Sequence, residues 1–257
     1  MAIAPTEALL SVEGVSRSFG GLQALRRVDC RVHEGEILGV MGPNGSGKTT
    51  LFNCIAGALR PDAGAITFAG VPIAGLPPHR ILRRGVARTF QLVRPFLQMS
   101  ALANVMVGQL YGCRPAPSLG AARRAAEEQL AFVGLEGKAN VRAAHLTTID
   151  RKRVELARCL AAGPRLLLLD ELMAGLNPAE GDAAVDLLRR IRAAGVTVVF
   201  VEHRVKAILE LADRVVVLHA GERIAEGSPA EVMRDPRVIE AYLGREAPHP
   251  APPAGSP

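Results

Sequence analysis

A glycine-rich segment carries the strongest chemical signal in the sequence: Gly42-Pro43-Asn44-Gly45-Ser46-Gly47-Lys48-Thr49. It fits the pattern G-x-x-x-x-G-K-[ST], known as a P-loop. Glycines let the backbone curl so that successive N–H groups point at phosphate oxygens. Lys48 then supplies a mobile cation to the β- and γ-phosphates, and Thr49 supplies a hydroxyl to Mg²⁺. The segment therefore predicts a site for a nucleoside triphosphate with magnesium.

Two consecutive carboxylates, Asp170 and Glu171, follow a leucine-rich segment later in the chain. Residues 165–170 are typical of a buried strand, which puts Asp170 at the strand end and Glu171 directly after it. There Asp170 is positioned to hold Mg²⁺ through water, and Glu171 to orient or deprotonate an attacking water molecule. An Asp-Glu pair after a strand is more often a solvated turn, but a P-loop upstream favours the catalytic interpretation.

Strands and helices alternate along most of the chain, and the P-loop lies between one strand and one helix. The pattern predicts buried strands at 36–41, 165–170 and 196–201, and helices at 48–56 and 178–194. Continuous apolar strands joined by helices indicate a parallel sheet covered on both faces. This context is the one that the P-loop pattern requires, so a chance match is disfavoured.

Two regions depart from this alternation. Short β-prone segments at 9–12, 28–32 and 65–68 predict an antiparallel layer near the N-terminus. Residues 100–160 have helical patterning without a convincing strand, which predicts a helical insertion. The segment 247–257 contains five prolines and no core-forming residue, so we expect it to be disordered.

The composition of the 257 residues is that of a folded protein. Hydrophobic residues make up 49% and charged residues 22%, which excludes wholesale disorder. The four cysteines lie far apart in the sequence, which disfavours a zinc knuckle or a disulfide scaffold. No apolar run approaches the roughly 20 residues of a membrane-spanning helix, and the N-terminus lacks signal-peptide features. We therefore expect a cytoplasmic chain.

The net charge of +6 is unevenly distributed, because residues 76–160 contain 14 Lys/Arg against 5 Asp/Glu. A basic middle region could face nucleic acid, anionic lipid headgroups or an acidic partner. From charge alone, a solvated surface is the favoured interpretation.

The motifs occur in an informative order: the P-loop, Gln91, the helical insertion, the Asp-Glu pair, and His203 after a strand. In this order the sequence resembles the ATP-binding subunit of ABC transporters over about residues 9–244. The stretches 19–25, 88–91, 174–178 and 241–244 resemble more narrowly the branched-chain amino-acid importer branch. The resemblance implies one α/β P-loop ABC ATPase domain at 9–246. It has a parallel core sheet, an N-terminal antiparallel β layer and a helical subdomain inserted at about 94–160.

The resemblance also implies roles for individual residues. Phe19 stacks on the adenine, with a core aromatic as an equal alternative; Gln91 contacts Mg²⁺ and the attacking water; His203 bonds the γ-phosphate. The implied catalytic set is Lys48, Gln91, Glu171 and His203, and the implied metal set is Thr49, Gln91 and Asp170. The implied nucleotide-binding set is Phe19, Gly42, Pro43, Asn44, Gly45, Ser46, Gly47, Lys48, Thr49 and Thr50.

As a member of this family, the chain would be the ATP-hydrolysing, energy-coupling subunit of an importer for branched-chain or related amino acids. Its cofactors would be ATP and Mg²⁺. Its partners would be membrane permease subunits, a second ATPase subunit (a heterodimer is favoured over a homodimer) and, indirectly, a periplasmic substrate-binding protein. It would bind no nucleic acid and would lie peripherally at the cytoplasmic face of the inner membrane. The alternatives are the ATPase of a lipopolysaccharide exporter, a weakly hydrolysing regulatory module, a P-loop kinase and a nucleic-acid ABC ATPase.

One stretch departs from the family pattern. The signature Leu-Ser-Gly-Gly-Gln, which contacts the γ-phosphate held by the opposite subunit, is matched here by Leu146-Thr147-Thr148-Ile149-Asp150. Ile149 replaces a glycine, and its β-branched side chain hinders close backbone approach to phosphate. Leu172 also replaces the usual proline after the catalytic glutamate. The departures predict an asymmetric dimer in which this chain's own ATP site stays competent, unless a shifted loop restores the contact.

Overall fold

The structure of the chain is a computed structural model, and it describes residues 8–90, 93–202 and 204–243. The predicted site residues Gln91 and His203 lie outside the described residues, and so does the tail 247–257. Of Leu243 only the backbone is described.

The centre of the molecule is a six-stranded sheet in the order β10-β9-β3-β8-β7-β6. Its strands are β3 (Ile37–Met41), β6 (Val86–Arg88), β7 (Leu166–Asp170), β8 (Thr197–Val201), β9 (Arg214–His219) and β10 (Glu222–Gly227). All neighbouring pairs are parallel except β9 and β10, which form an antiparallel pair at one edge. The α/β fold with a parallel core sheet is therefore confirmed.

The three strands predicted for this sheet each begin one residue later than expected, at Ile37, Leu166 and Thr197. The two predicted helices each end one residue earlier, because Ala56 and Ala194 are their C-caps. Strand β6, which the sequence analysis did not identify as a strand, has only three residues. A segment that short gives no detectable hydrophobic pattern.

A second, four-stranded antiparallel sheet has the order β2-β1-β4-β5. Its strands are β1 (Leu10–Phe19), β2 (Leu22–Val32), β4 (Ala63–Phe68) and β5 (Val71–Pro72). The antiparallel layer is confirmed, but β1 and β2 are much longer than the predicted segments. The register between them shifts three times, between Val12 and Ser18. Such bulges interrupt the two-residue alternation by which a strand is recognised.

The helices are α1 (Lys48–Ile55), α2 (Pro78–Arg84), α3 (Ala101–Tyr111), α4 (Leu119–Phe132), α5 (Thr148–Ala161), α6 (Pro178–Ala193), α7 (Val205–Leu211), α8 (Pro229–Val232) and α9 (Pro236–Leu243). Helices α3, α4 and α5 pack on one another. They form the predicted helical insertion, with one isolated β-bridge between Ser100 and Arg142. Its limits at about 94 and 160 stay a prediction, as do the domain limits at 9 and 246. Among the described residues, no helix is long and apolar enough to cross a membrane.

The core sheet is buried on both faces, and each face has its own hydrophobic cluster. Along β3, Ile37 and Met41 belong to the cluster shared with α3 to α7, whereas Leu38 and Val40 belong to the cluster shared with α1 and the antiparallel sheet. Helix α1 is thus enclosed between the two sheets. Because this burial fixes α1 and β3, the loop that joins them has a defined geometry.

Candidate functional site

The P-loop connects the end of β3 to the start of α1, as predicted. Gly42, Gly45 and Gly47 have φ angles of 146°, 78° and 106°, which side chains with a Cβ rarely adopt. A Cβ on Gly42 would lie 2.1 Å from the carbonyl oxygen of Leu218, and one on Gly47 would lie 2.6 Å from that of Ala24. These two positions therefore require glycine for both conformation and space.

Lys48 begins α1 and turns its ammonium group back over the loop. Its Nζ donates to the carbonyl oxygen of Gly42 at 2.7 Å and to that of Pro43 at 2.9 Å. Burial lowers the pKa of Lys48, and the negative charges of Glu171 and Asp170 oppose this shift. The loop thus holds the Lys48 ammonium group close to both predicted carboxylates. This arrangement suits a phosphate group with its metal.

The rest of the predicted nucleotide-binding set surrounds this cation. Ser46 is buried; its N–H donates to the carbonyl of Pro43 at 3.2 Å, and its carbonyl accepts from Gly221 at 3.1 Å. Asn44 and Thr49 are exposed, and Thr50 is half-buried. Phe19 ends β1 and is 44% exposed, with the Arg17 guanidinium over its ring. Because Phe19 is exposed, it is not a core aromatic, and its adenine contact stays a prediction.

Asp170 ends β7 with its carboxylate almost fully buried. Its Oδ2 accepts a hydrogen bond from Arg88 at 3.0 Å. Its Oδ1 has no hydrogen-bond partner within the described part of the chain. Burial raises the pKa of Asp170, and Arg88 opposes the shift. An orphaned, buried carboxylate oxygen fits the oxygen-ligand preference of Mg²⁺, so the residues present suit the predicted metal.

Glu171 has a left-handed backbone, with φ of 51°. Such a conformation in a residue other than glycine costs about 1–3 kcal/mol and persists only where its surroundings enforce it. On one side, the Glu171 N–H donates to the carbonyl of Val201 at 3.0 Å. On the other, the ammonium group of Lys152 on α5 donates to the carbonyls of Leu172 at 3.0 Å and Ala174 at 2.7 Å. Strand β8 and helix α5 together hold the segment that carries the predicted base.

Replacing Lys152 by methionine is expected to lower the free energy of unfolding by about 1–3 kcal/mol, because partly buried carbonyls lose their donor. Chemical denaturation of the full chain measures the change. The control is Lys206→Met, which removes a side chain that is 71% exposed and should cost under about 1 kcal/mol. Equal losses in the two variants would contradict a special role for Lys152.

Arg88 is a site residue that the sequence analysis missed. It ends the short strand β6. Its guanidinium donates to Asn53 on α1 at 2.6 Å and to Asp170 on β7, and lies over the rings of Phe52 and Phe90. It therefore connects the P-loop helix to the predicted metal ligand. The sequence feature that could have identified Arg88 is its position three residues before Gln91. The sequence analysis used the stretch 88–91 only as a marker of the family branch.

Glu202 was also missed. It is buried and directly precedes His203 in the sequence, and its Oε1 accepts from the N–H of Met173 at 2.7 Å. This bond ties the end of β8 to the segment that follows Glu171. Its sequence signal was adjacency to the predicted histidine.

The stretch in the signature position opens α5. Thr147 is the N-cap, and its hydroxyl accepts from the N–H of Asp150 at 3.1 Å. The carboxylate of Asp150 accepts from Lys138 at 2.6 Å. Burial disfavours ionisation of Asp150, but the hydrogen bonds from Lys138 and Thr147 prevail and lower its pKa. The positive N-terminus of α5 would suit a phosphate, but its first turn already contains the carboxylate of Asp150.

The two departures from the family pattern meet in space. Ile149 and Leu172 both line a cavity of about 220 Å³ between α5 and α6, together with Leu156, Leu176 and Leu187. The side chains at 149 and 172 therefore contribute to the lining of one cavity.

The family model described as ABC transporter matches residues 25–174, a span that includes the P-loop, Asp170 and Glu171. The chain belongs to the ABC transporter family. By family and fold this cassette is a nucleotide-binding ATPase, which confirms the predicted resemblance. A second family model, described as Branched-chain amino acid ATP-binding cassette transporter, matches residues 222–248 of the cassette.

Curated relatives align with nearly the whole ABC cassette. The High-affinity branched-chain amino acid transport ATP-binding protein BraF of Pseudomonas aeruginosa is 41% identical, covering 92% of this chain and 98% of the relative. LivG of Escherichia coli, with the same description, is 38% identical over 93% of this chain and 99% of its own length. The lipopolysaccharide export system ATP-binding protein LptB of Acidithiobacillus ferridurans is 36% identical, and the match covers 92% of this chain and 97% of the relative.

A solved structure has the same fold. The ADP conformation of MJ1267, described as an ATP-binding cassette of an ABC transporter, superposes with a TM-score of 0.85 at 30% identity. The match covers 93% of this chain and 100% of the other.

Proposed function

We propose that this cassette hydrolyses ATP to drive an importer of branched-chain or related amino acids. The observation that carries the ATPase part is the Lys48 ammonium group, held at the centre of the P-loop close to Asp170 and Glu171. The substrate class is supported by the branched-chain family model at residues 222–248 and by the descriptions of BraF and LivG.

In the proposed reaction, Lys48 exchanges the carbonyls of Gly42 and Pro43 for the β- and γ-phosphates of ATP. Thr49, Gln91 and the orphaned oxygen of Asp170 would hold Mg²⁺, which when bound neutralises phosphate charge. Glu171 takes the proton of the attacking water. Gln91 orients that water, His203 bonds the γ-phosphate, and Phe19 stacks on the adenine.

The proposed partners follow from the family. The helical insertion would dock membrane permease subunits and bring the basic region 76–160 close to the cytoplasmic face of the inner membrane. A periplasmic substrate-binding protein would act through the permease. No role with nucleic acid is proposed.

We further propose that the second ATPase subunit is a different chain with a conventional signature. Ile149 and the carboxylate of Asp150 at the start of α5 disfavour a phosphate there, so the ATP held by the partner would be cleaved slowly. The P-loop, Asp170 and Glu171 of this chain would hold its own ATP, which would contact the signature of the partner and not this one. A homodimer would contain two weakened sites.

The lipopolysaccharide exporter remains the second candidate function, since LptB is also a relative, at 36% identity against 41% for BraF. Transport separates the two. Proteoliposomes are prepared with this chain, its permease pair and the second ATPase, and with ATP inside the vesicles. When the substrate-binding protein and labelled leucine are added outside, the vesicles should take up the leucine. ATP-dependent release of lipopolysaccharide without leucine uptake would favour the exporter.

Replacing Lys48 by alanine is expected to weaken ATP binding by about 10- to 100-fold. The reason is that the loss of one hydrogen bond from a charged donor costs about 1.5–3 kcal/mol. Isothermal titration calorimetry of the full chain with Mg²⁺-ATP measures the change. Lys206→Ala, on the exposed face of α7, is the control and should bind as the native chain does. A native affinity in Lys48→Ala would refute the proposed phosphate site.

A further inference from the structure

The first amide of the P-loop is bound by a side chain from the far end of the sequence. The N–H of Gly42 donates to the hydroxyl oxygen of Tyr242 at 2.8 Å, across 200 residues of chain. Gly42 is buried directly after β3, and buried backbone donors are almost always paired. Tyr242 therefore completes the hydrogen bonding of the strand end from which the loop departs.

The packing of helix α9 on the core places Tyr242 close to the Gly42 amide. Val238 is 3% exposed and belongs to the cluster on the helical face of the core sheet. Tyr242 follows four residues later and so lies on the same face of α9. Tyr242 is still 43% exposed, so the orientation of its side chain depends on the hydrogen bond to Gly42 as well as on packing.

Gly42 is held from two opposite directions. Its carbonyl accepts from Lys48 and its N–H donates to Tyr242, while the close approach of Leu218 excludes any side chain at this position. Once Lys48 turns to a phosphate, as the proposed function requires, the carbonyl of Gly42 loses the ammonium group. The Tyr242 contact then remains to keep the peptide in place.

We propose that Tyr242 is a positioning residue for the phosphate loop. Its hydroxyl fixes the Gly42 peptide, and through it the C-terminal helix α9 contributes to nucleotide affinity. This inference rests on the proposed function, because it assumes that the loop binds a nucleotide. It gives a role to Tyr242, whose stretch 241–244 had served only to mark the family branch.

Tyr242→Phe removes the hydroxyl that accepts from Gly42 and leaves the aromatic ring. We expect the dissociation constant for Mg²⁺-ATP, measured by calorimetry on the full chain, to rise about three- to tenfold, the equivalent of one hydrogen bond. Tyr111→Phe is the matched control, because Tyr111 is 63% exposed on α3 and should bind ATP unchanged. An unchanged dissociation constant in a folded Tyr242→Phe variant would overturn the inference.

Tyrosine fluorescence gives a second readout, which is measured mainly on Tyr111→Phe, a variant that keeps the Tyr242 hydroxyl. The chain has no tryptophan and two tyrosines, so Tyr111→Phe leaves Tyr242 as the single fluorescent residue. With excitation on the long-wavelength side of the adenine band, saturating Mg²⁺-ATP should change the tyrosine emission of Tyr111→Phe. It should not change that of Tyr242→Phe, which reports Tyr111 alone. Equal emission changes in the two variants, or none in Tyr111→Phe, would also overturn the inference.

Failure of the inference and failure of the proposed function give different results. If the native chain binds no Mg²⁺-ATP, the proposed function fails and the inference fails with it. If the native chain and Tyr242→Phe bind equally well while Lys48→Ala does not, only the role of Tyr242 is refuted.

Discussion

Replacing Glu171 by glutamine is expected to abolish ATP hydrolysis by the assembled transporter while leaving ATP binding intact. The amide keeps the size of the side chain and the backbone contacts that hold φ at 51°, through Val201 and Lys152. It loses the ability to take a proton from water. General base catalysis contributes on the order of 10²–10⁴ in rate, so a loss of about that size is expected.

Phosphate release by the reconstituted complex measures hydrolysis, and calorimetry with Mg²⁺-ATP measures binding. Glu222→Gln is the control, because the Glu222 side chain is 58% exposed at the edge of the core sheet and should leave both quantities unchanged. If Glu171→Gln keeps the native rate while the same change in the second ATPase abolishes it, the proposed asymmetry is reversed.

The parts of the fold that the sequence revealed are those with a local cause. Residues 166–170 form a strand buried on both faces, and a continuous apolar segment is sufficient to recognise it. The P-loop is also local, because its glycines, lysine and flanking elements are consecutive. By contrast, β1 and β2 appeared only as fragments, since the register shifts between Val12 and Ser18 break the alternation.

The contacts that the sequence could not reveal join distant residues. Arg88 reaches Asp170 across 82 positions, and Gly42 reaches Tyr242 across 200. Each pair depends on the strand order of the core sheet or on the docking of α9, which no local pattern encodes. The same holds for Lys152, which reaches the carbonyls after Glu171 only because α5 packs against that segment.

Replacing Arg88 by methionine is expected to lower the free energy of unfolding by about 3–5 kcal/mol, among the largest effects of a single substitution in this cassette. The side chains of Arg88 and Asp170 are 6% and 1% exposed. Without the guanidinium, the buried carboxylate of Asp170 loses its hydrogen-bonded counter-ion, whereas methionine preserves apolar contact with Phe52 and Phe90. Chemical denaturation of the full chain measures the loss.

A double-mutant cycle separates the ion pair from the packing of Arg88. If the uncompensated carboxylate causes the loss, adding Asp170→Asn to Arg88→Met should restore about 2 kcal/mol or more, because an amide carries no charge to desolvate. The exposed pair Arg189–Asp186, at 53% and 71% exposure, is the control, and Arg189→Met should cost under about 1 kcal/mol. Strict additivity of Arg88→Met and Asp170→Asn would mean that the two residues act independently. Arg88 would then stabilise the cassette through Asn53 and the aromatic rings, and not by neutralising the predicted metal ligand.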